Sequence, residues 1–393
     1  MNVAPMSQPI DRVYSGNPRH LAVVVTSMIA VFLAGFLLGG EGQSFAATAM
    51  ESVPFAALAI MAYVGEKQTW GKILCLLILF STFILTILTL IGLGLGVVVG
   101  PNIETVFSDP ALLEPYNQQI QETTGKLALG ALMSIGLASS AFIPPIRRAI
   151  ARIVPIDPRS FTHTVAFVLV TALTLLCFVP LIVLAVPAIA SISSALSEQG
   201  QSLTQRSPDG LLRDELYGLL WLLPTAAIAV GYCLKRDFRQ TLDRLGLHKP
   251  TWRQVGVGLG CAAGLVLAAN VLSPGITWVW QQLGWPQTDE AAFLELASYF
   301  FTPLGALVIG ISAGLGEELA FRGVLQPRLG LWLSNLFFTS VHAFQYNWDA
   351  LILIFVVGAV CGIVRQRTNT TTCAIVHGVY NFLLIMLVVL QGS

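Results

Sequence analysis

Apolar runs follow one another along the whole chain, separated by short polar breaks. They lie near residues 21–40, 44–64, 73–99, 126–143, 164–190, 216–233, 254–273, 299–328, 331–346, 350–364 and 371–390. A helix needs about 20 apolar residues to cross the hydrocarbon core of a bilayer, and runs of this length repeat here with few charges. Lipid offers no partner to a free backbone N–H or C=O, so each span must satisfy its own hydrogen bonds as a helix. The ten-residue alternation of a membrane barrel is missing. The pattern therefore predicts an all-α, polytopic transmembrane bundle of about eleven helices.

Charge refines this picture. Only 11% of the 393 residues are charged, against about 25% in a soluble domain. Lys+Arg and Asp+Glu balance at 21 each, so no basic field points to nucleic acid. The breaks differ in sign. Residues 146–160 hold Arg147, Arg148, Arg152 and Arg159, and residues 234–253 hold Lys235, Arg236, Arg239, Arg244, Lys249 and Arg253. The alternate breaks carry Glu104, Asp109, Glu114 and Glu122, then Glu198, Asp209, Asp214 and Glu215. Basic loops mark the cytoplasmic side, which also places the N-terminus, with Arg12 and Arg19, inside. The first run is long for a signal peptide and is expected to stay as an anchor. The expected setting is a bacterial plasma (inner) membrane, with the lipid bilayer itself as a partner. The six cysteines sit in or beside apolar runs without any C-x-x-C spacing, which suits buried thiols rather than a metal site or a disulfide framework.

Glycines recur at Gly92, Gly94 and Gly96, at Gly256, Gly258 and Gly260, and at Gly310 and Gly314. None follows a strand, so close helix packing is the expected use, not dinucleotide binding. The basic loop near 234–253 divides the chain into residues 1–250, membrane helices of unassigned role, and residues 251–393, where the chemistry collects around 298–391.

Two adjacent carboxylates, Glu317 and Glu318, lie inside an apolar run with Arg322 following. Charges at that depth cost a few kcal/mol each and usually mark function. Two of the five histidines, His342 and His377, also lie inside apolar runs. A turn near Gly330 would make a hairpin of the Glu317 and His342 helices. Glu317 is 13 residues before that turn and His342 is 12 after it, roughly 18–20 Å at 1.5 Å per residue. The next turn falls at Arg365–Thr370, which puts His377 and Asn381 roughly 14–20 Å above it. All four would share one layer, reached from the side of the basic loops. Glu318 and Arg322 are i,i+4 neighbours and would neutralise each other, leaving Glu317 to face elsewhere. Phe338 would pack one turn below His342.

A carboxylate can take a proton from water, and a histidine can orient that water. A second histidine and an amide can donate to a tetrahedral oxyanion. This is a complete set for peptide hydrolysis. One Glu and two His can also hold zinc, which leaves a divalent metal on Glu317, His342 and His377 as an alternative, although no H-E-x-x-H is present. Two other classes remain open. A non-catalytic scaffold would keep the polar cluster as glue, and a proton-coupled transporter would use it as a relay. Against transport, the first half holds no matching cluster, as a repeat-built carrier would show.

Glu317-Glu318-Leu319-Ala320-Phe321-Arg322 fits E-E-x-x-x-R, Phe338 to His342 fits F-x-x-x-H, and His377 to Asn381 fits H-x-x-x-N. In that order, in adjacent C-terminal spans, they resemble the CAAX prenyl protease and bacteriocin-processing family of intramembrane endopeptidases. The resemblance covers about residues 298–391. It implies Glu317 and His342 as activators of water, His377 and Asn381 as the oxyanion site, and Glu318 and Arg322 as supports of Glu317. It implies a peptide or protein substrate in or at the membrane, of prenylated or other membrane-associated type. It favours a glutamate-driven mechanism with no required metal cofactor.

Overall fold

The computed structural model describes residues 16–100, 114–197 and 208–392. Arg12, Glu104, Asp109 and Glu198 lie outside them. Among the described residues every extended element is helical, and the one β-bridge is an isolated pair, Tyr232 with Arg236. The all-α bundle expected from the sequence is the observed fold.

Eight helical runs are long and apolar enough to span a membrane, or nine if Gly40–Glu51 and Val53–Gly65, bent by 43°, form one broken span. The expected count of about eleven is not reached among the described residues, and two regions account for the difference. Pro208–Ala229 covers most of the predicted 216–233 span but carries Asp209, Arg213, Asp214 and Glu215 in its first two turns. The arms expected at 299–328 and 331–346 fall together in the stretch Pro303–Phe344, but they are two helices joined at a kink at Gly330. There the backbone turns to φ 82° and ψ 169°, a conformation open to glycine and strained for other residues. The arms fold back on each other, with the Phe321 ring 5.2 Å from Phe338 and 5.5 Å from Phe337. The turn expected near Gly330 is thus a real hairpin between two helices.

The hydrophobic core is continuous across residue 250. The cluster built by Leu79, Phe83, Leu127 and Val168 includes Leu329 and packs against Leu325, Leu333 and Phe337 of the hairpin. The N-terminal helices therefore form one wall of the layer that holds the polar residues.

Local sequence sets the two helices that cross most closely. Thr302 accepts from Gly305 N–H and Pro303 stands in the first turn, a favoured start because proline supplies no N–H there. Further along, a methyl group on Gly314 would stand 2.6 Å from Gly378 Cα, and one on Gly378 would stand 2.5 Å from Gly310 O. Gly310 and Gly314 thus do pack closely, against Gly378 of Thr370–Gly392. In the other two glycine clusters only Gly94 and Gly258 meet a neighbouring helix this tightly. Gly378→Ala is expected to destabilise the protein by about 1–3 kcal/mol through overpacking, read as a lower unfolding temperature in detergent. Gly260→Ala, which meets open space, serves as the control.

Candidate active site

The backbone that carries the carboxylates is not a plain α-helix. Ser312–Glu317 and Leu319–Leu325 are wound as π-helix, a rare form that occurs mainly at functional sites. It widens the turn and frees carbonyls near its end. Those of Gly323 and Arg322 are taken by Arg244 Nη1 at 2.9 Å and Arg365 Nε at 3.3 Å. Residue spacing alone gave no sign of this winding.

Glu318 and Arg322 point inward and are fully buried. Arg322 Nε lies 3.2 Å from Glu318 Oε2, and Arg322 Nη2 donates to Gly358 O at 2.8 Å. Its guanidinium lies 4.4 Å from the Phe338 ring centre, within reach of a cation–π contact. The space for this arrangement comes from Gly358, where a methyl group would collide with Asn335 Oδ1 and the Phe338 ring. The expected ion pair is present, but it has a third member. His377 Nδ1 donates to Glu318 Oε1 at 2.9 Å.

That bond orients the imidazole, because a buried carboxylate accepts and the ring must place its hydrogen on Nδ1. Nε2 then faces Glu317, 3.9 Å from Oε2. Glu317 is about one-third exposed at its side chain, and its buried Oε2 has no hydrogen-bond partner. His342 is fixed in the same way from another helix. Its Nδ1 donates to Phe338 O at 2.8 Å, which leaves Nε2 with its lone pair. Phe338 lies between the histidines, 5.0 Å from the His342 ring and 5.8 Å from that of His377. It packs against both rings and lines the site between them.

Glu317, His342, His377 and Asn381 all line one cavity of about 1080 Å³, together with Phe338. Glu318 and Arg322 do not. The structure therefore separates the predicted residues into a cavity-facing group and a buried group behind it.

Access to the cavity differs from the expectation. Its lining comes from Leu211 to Leu222, Phe293 to Phe301, Ile309 to Phe321, Phe338 to Tyr346, Leu353 to Val357 and His377 to Val388, with Glu51 and Ser52. No residue of the Gly330 turn or of the basic 234–253 loop contributes. The cavity extends away from the basic end, not toward it. Phe321 and Phe338 line the cavity, with the Arg322 guanidinium packed against the Phe338 ring behind them, and Leu245 packs against Gly323. The sequence also gave no sign that the N-terminal half would supply part of the wall. Glu51, Asp214 and Glu215 line the same cavity, although Asp214 and Glu215 fall in a stretch read as a break between spans.

Among the described residues, no three His, Cys, Asp or Glu side chains gather closely enough to hold a metal ion. Glu317 Oε2 and His377 Nε2 lie 3.9 Å apart, and both histidines hold Nδ1 in a hydrogen bond and keep Nε2 free.

Residues 299–383 match the family described as Rce1-like, type II CAAX prenyl endopeptidase. The matched segment contains all three motifs and bears out the resemblance read from them. At the family level it supports a CAAX-type intramembrane endopeptidase, and the apolar spans make the chain an integral membrane protein. The chain is also similar to the uncharacterized protein YpbD of Bacillus subtilis (strain 168), 36% identical over 55 residues. That match covers 14% of this chain and 29% of YpbD, so the chain spans under a third of the curated relative's length. No solved structure matches the chain.

Proposed function

We propose that this chain is an intramembrane endopeptidase whose water is activated by Glu317. The observation that carries the reading is the unpartnered Glu317 carboxylate oxygen, facing a cavity that His342, His377 and Asn381 also line. Glu317 takes a proton from water while the water oxygen attacks the scissile carbonyl carbon. His342 accepts a hydrogen bond from that water at Nε2, since Nδ1 is held by Phe338 O. The carbonyl oxygen becomes an oxyanion, and Asn381 donates to it through its amide. His377 donates through Nε2 when both ring nitrogens carry hydrogen, its Nδ1–H remaining on Glu318. Glu317 then passes the proton to the leaving nitrogen as the C–N bond breaks, giving a carboxylic acid and an amine. Preorganised donors at a developing oxyanion are usually the largest single source of rate enhancement.

The substrate class follows from the walls. Leu219, Leu222, Phe300, Ile354 and Leu384 line the cavity, which suits an apolar peptide segment of a membrane-associated or prenylated-type substrate. The test compares membrane proteomes and released peptides from cells carrying the wild type, Glu317→Ala or no copy, at matched expression. A fragment made only by the wild type supports the reading. If deletion gives a phenotype that Glu317→Ala rescues, with no wild-type-specific fragment, a scaffold role replaces it.

The mechanism needs no metal. Chelation of the purified protein is expected to leave cleavage within about two-fold of the untreated rate, since no step in it depends on a Lewis acid. A reproducible loss, restored by zinc, would reverse this part of the proposal.

A further inference from the structure

The proposed mechanism leaves the basic end of the bundle without a role. Four cations from three separate segments meet there around the Tyr63 side chain. Arg328, just before the Gly330 turn, donates to Tyr63 Oη at 2.8 Å. Lys235 Nζ lies 5.1 Å from the Tyr63 ring centre. Arg236 Nη1 donates to Val230 O, beside Gly231, and a methyl group on Gly231 would touch both that nitrogen and Tyr63 Oη at 3.4 Å. Arg244 reaches in from the Phe238–Leu245 helix to the carbonyl of Gly323.

Such a gathering of like charges normally contains carboxylates, but here the nearby ones are used elsewhere. Glu66 accepts from Ser160 and Thr162. Asp157 accepts from the Arg159 N–H, Asp237 caps its own helix at Gln240, and Asp243 lies 3.7 Å from His248. Among the described residues, none of the four cations forms an ion pair with a carboxylate. Arg328 Nε is buried with no acceptor. Burial first, and then the neighbouring charges of Arg328 and Arg236, push the Arg244 guanidinium down to about 9.

Two aromatic residues mark the level of this cluster. Trp252, which follows the basic loop, is 89% exposed, and Phe238, in it, is 63% exposed. Aromatic rings flanking a basic loop are characteristic of the headgroup layer. Guanidinium forks match phosphate oxygens in geometry as well as charge.

We propose that Lys235, Arg236, Arg244 and Arg328 form a binding site for a phosphate-bearing anion, the headgroup of an acidic phospholipid or free phosphate. The bound anion would offset the repulsion and tie the Val53–Gly65 helix, the basic loop and the Gly330 turn together. The site is independent of the proposed peptide hydrolysis and stands or falls separately.

The test uses the purified full chain. Native mass spectrometry counts retained phosphatidylglycerol against phosphatidylcholine, and a parallel titration uses inorganic phosphate alone with unfolding temperature as readout. A basic side chain near an anionic headgroup contributes about five-fold in binding. Arg236→Ala and Arg328→Ala are each expected to cut phosphatidylglycerol retention about five-fold, and the pair roughly 25-fold. Lys235 is exposed and, unlike Arg236 and Arg244, its side chain makes no hydrogen bond to a backbone carbonyl among the described residues, so Lys235→Glu keeps the test decisive if the arginine variants fail to fold. Selective retention of phosphatidylglycerol, lost in Lys235→Glu, supports a lipid headgroup as the source. Stabilisation by phosphate without lipid selectivity, lost in the same variant, supports a free anion. Neither lipid selectivity nor a phosphate response in the wild type overturns the proposal, as does either response persisting unchanged in Lys235→Glu.

Discussion

Glu317→Gln is expected to lower peptide cleavage by about a hundred- to ten-thousand-fold, the range lost when a positioned general base is removed. The substitution keeps the shape of the side chain and removes the ability to accept a proton from water. Folding should change little, because Glu317 is partly exposed to the cavity and its nearest ionisable contact, His377 Nε2, is 3.9 Å away. The measurement is the rate on a cleaved membrane peptide, with the unfolding temperature recorded on the same sample. Cleavage within ten-fold of wild type, with intact folding, would remove Glu317 from the reaction. Glu318→Gln separates the two carboxylates. It weakens both Arg322 and His377 contacts, so its unfolding temperature should fall where that of Glu317→Gln does not.

The sequence made the site more legible than the fold that surrounds it. Glu317, His342, His377 and Asn381 were readable because polar groups in apolar runs are costly and therefore few, and counting residues from two turns put them at one depth. The Glu318–Arg322 pair was readable from i,i+4 spacing, and the structure pairs them at 3.2 Å. The hydrogen bond from His377 to Glu318 was not readable, because it joins residues 59 positions apart and no local pattern records it. The π-helical winding was hidden for a related reason. It depends on Arg244 and Arg365, from distant segments, holding the carbonyls that the wider turn releases.

The span count parts from the expectation for a reason of local charge. The two arms on either side of Gly330 are separate helices, as hydropathy reads them, joined at a kink within Pro303–Phe344, whereas the Pro208–Ala229 helix carries Asp209, Arg213, Asp214 and Glu215 in its first two turns. The direction of access failed because loop charge reports on membrane orientation and says nothing about packing inside the bundle. Whether a cavity opens at one end or the other depends on which side chains fill it. Here no lining residue comes from the Gly330 turn or the 234–253 loop, while Glu51, Asp214 and Glu215 line the cavity.

Arg322→Ala is expected to produce the largest loss of stability. The side chain is 1% exposed and Glu318 is 0% exposed, so the substitution strands a buried carboxylate. Breaking a buried pair by removing one partner costs about 3–5 kcal/mol. Three further contacts act in the same direction: the bond to Gly358 O, the approach to the Phe338 ring and the volume of the side chain itself. A second substitution tests whether the charge or the packing dominates. Glu318→Leu with Arg322→Met replaces the pair by apolar groups of similar size, a change that is often neutral in other buried pairs. Here His377 Nδ1 would lose its acceptor, so the double variant should recover folding more than activity. The readout is a double-mutant cycle on unfolding in detergent, with the cleavage rate measured alongside. Coupling of about 0.5–3 kcal/mol between the two positions is expected for residues in one network. Additive losses at the two positions would mean that Glu318 and Arg322 act as independent packing residues. Full recovery of activity in the double variant would show that Glu318 does not orient His377.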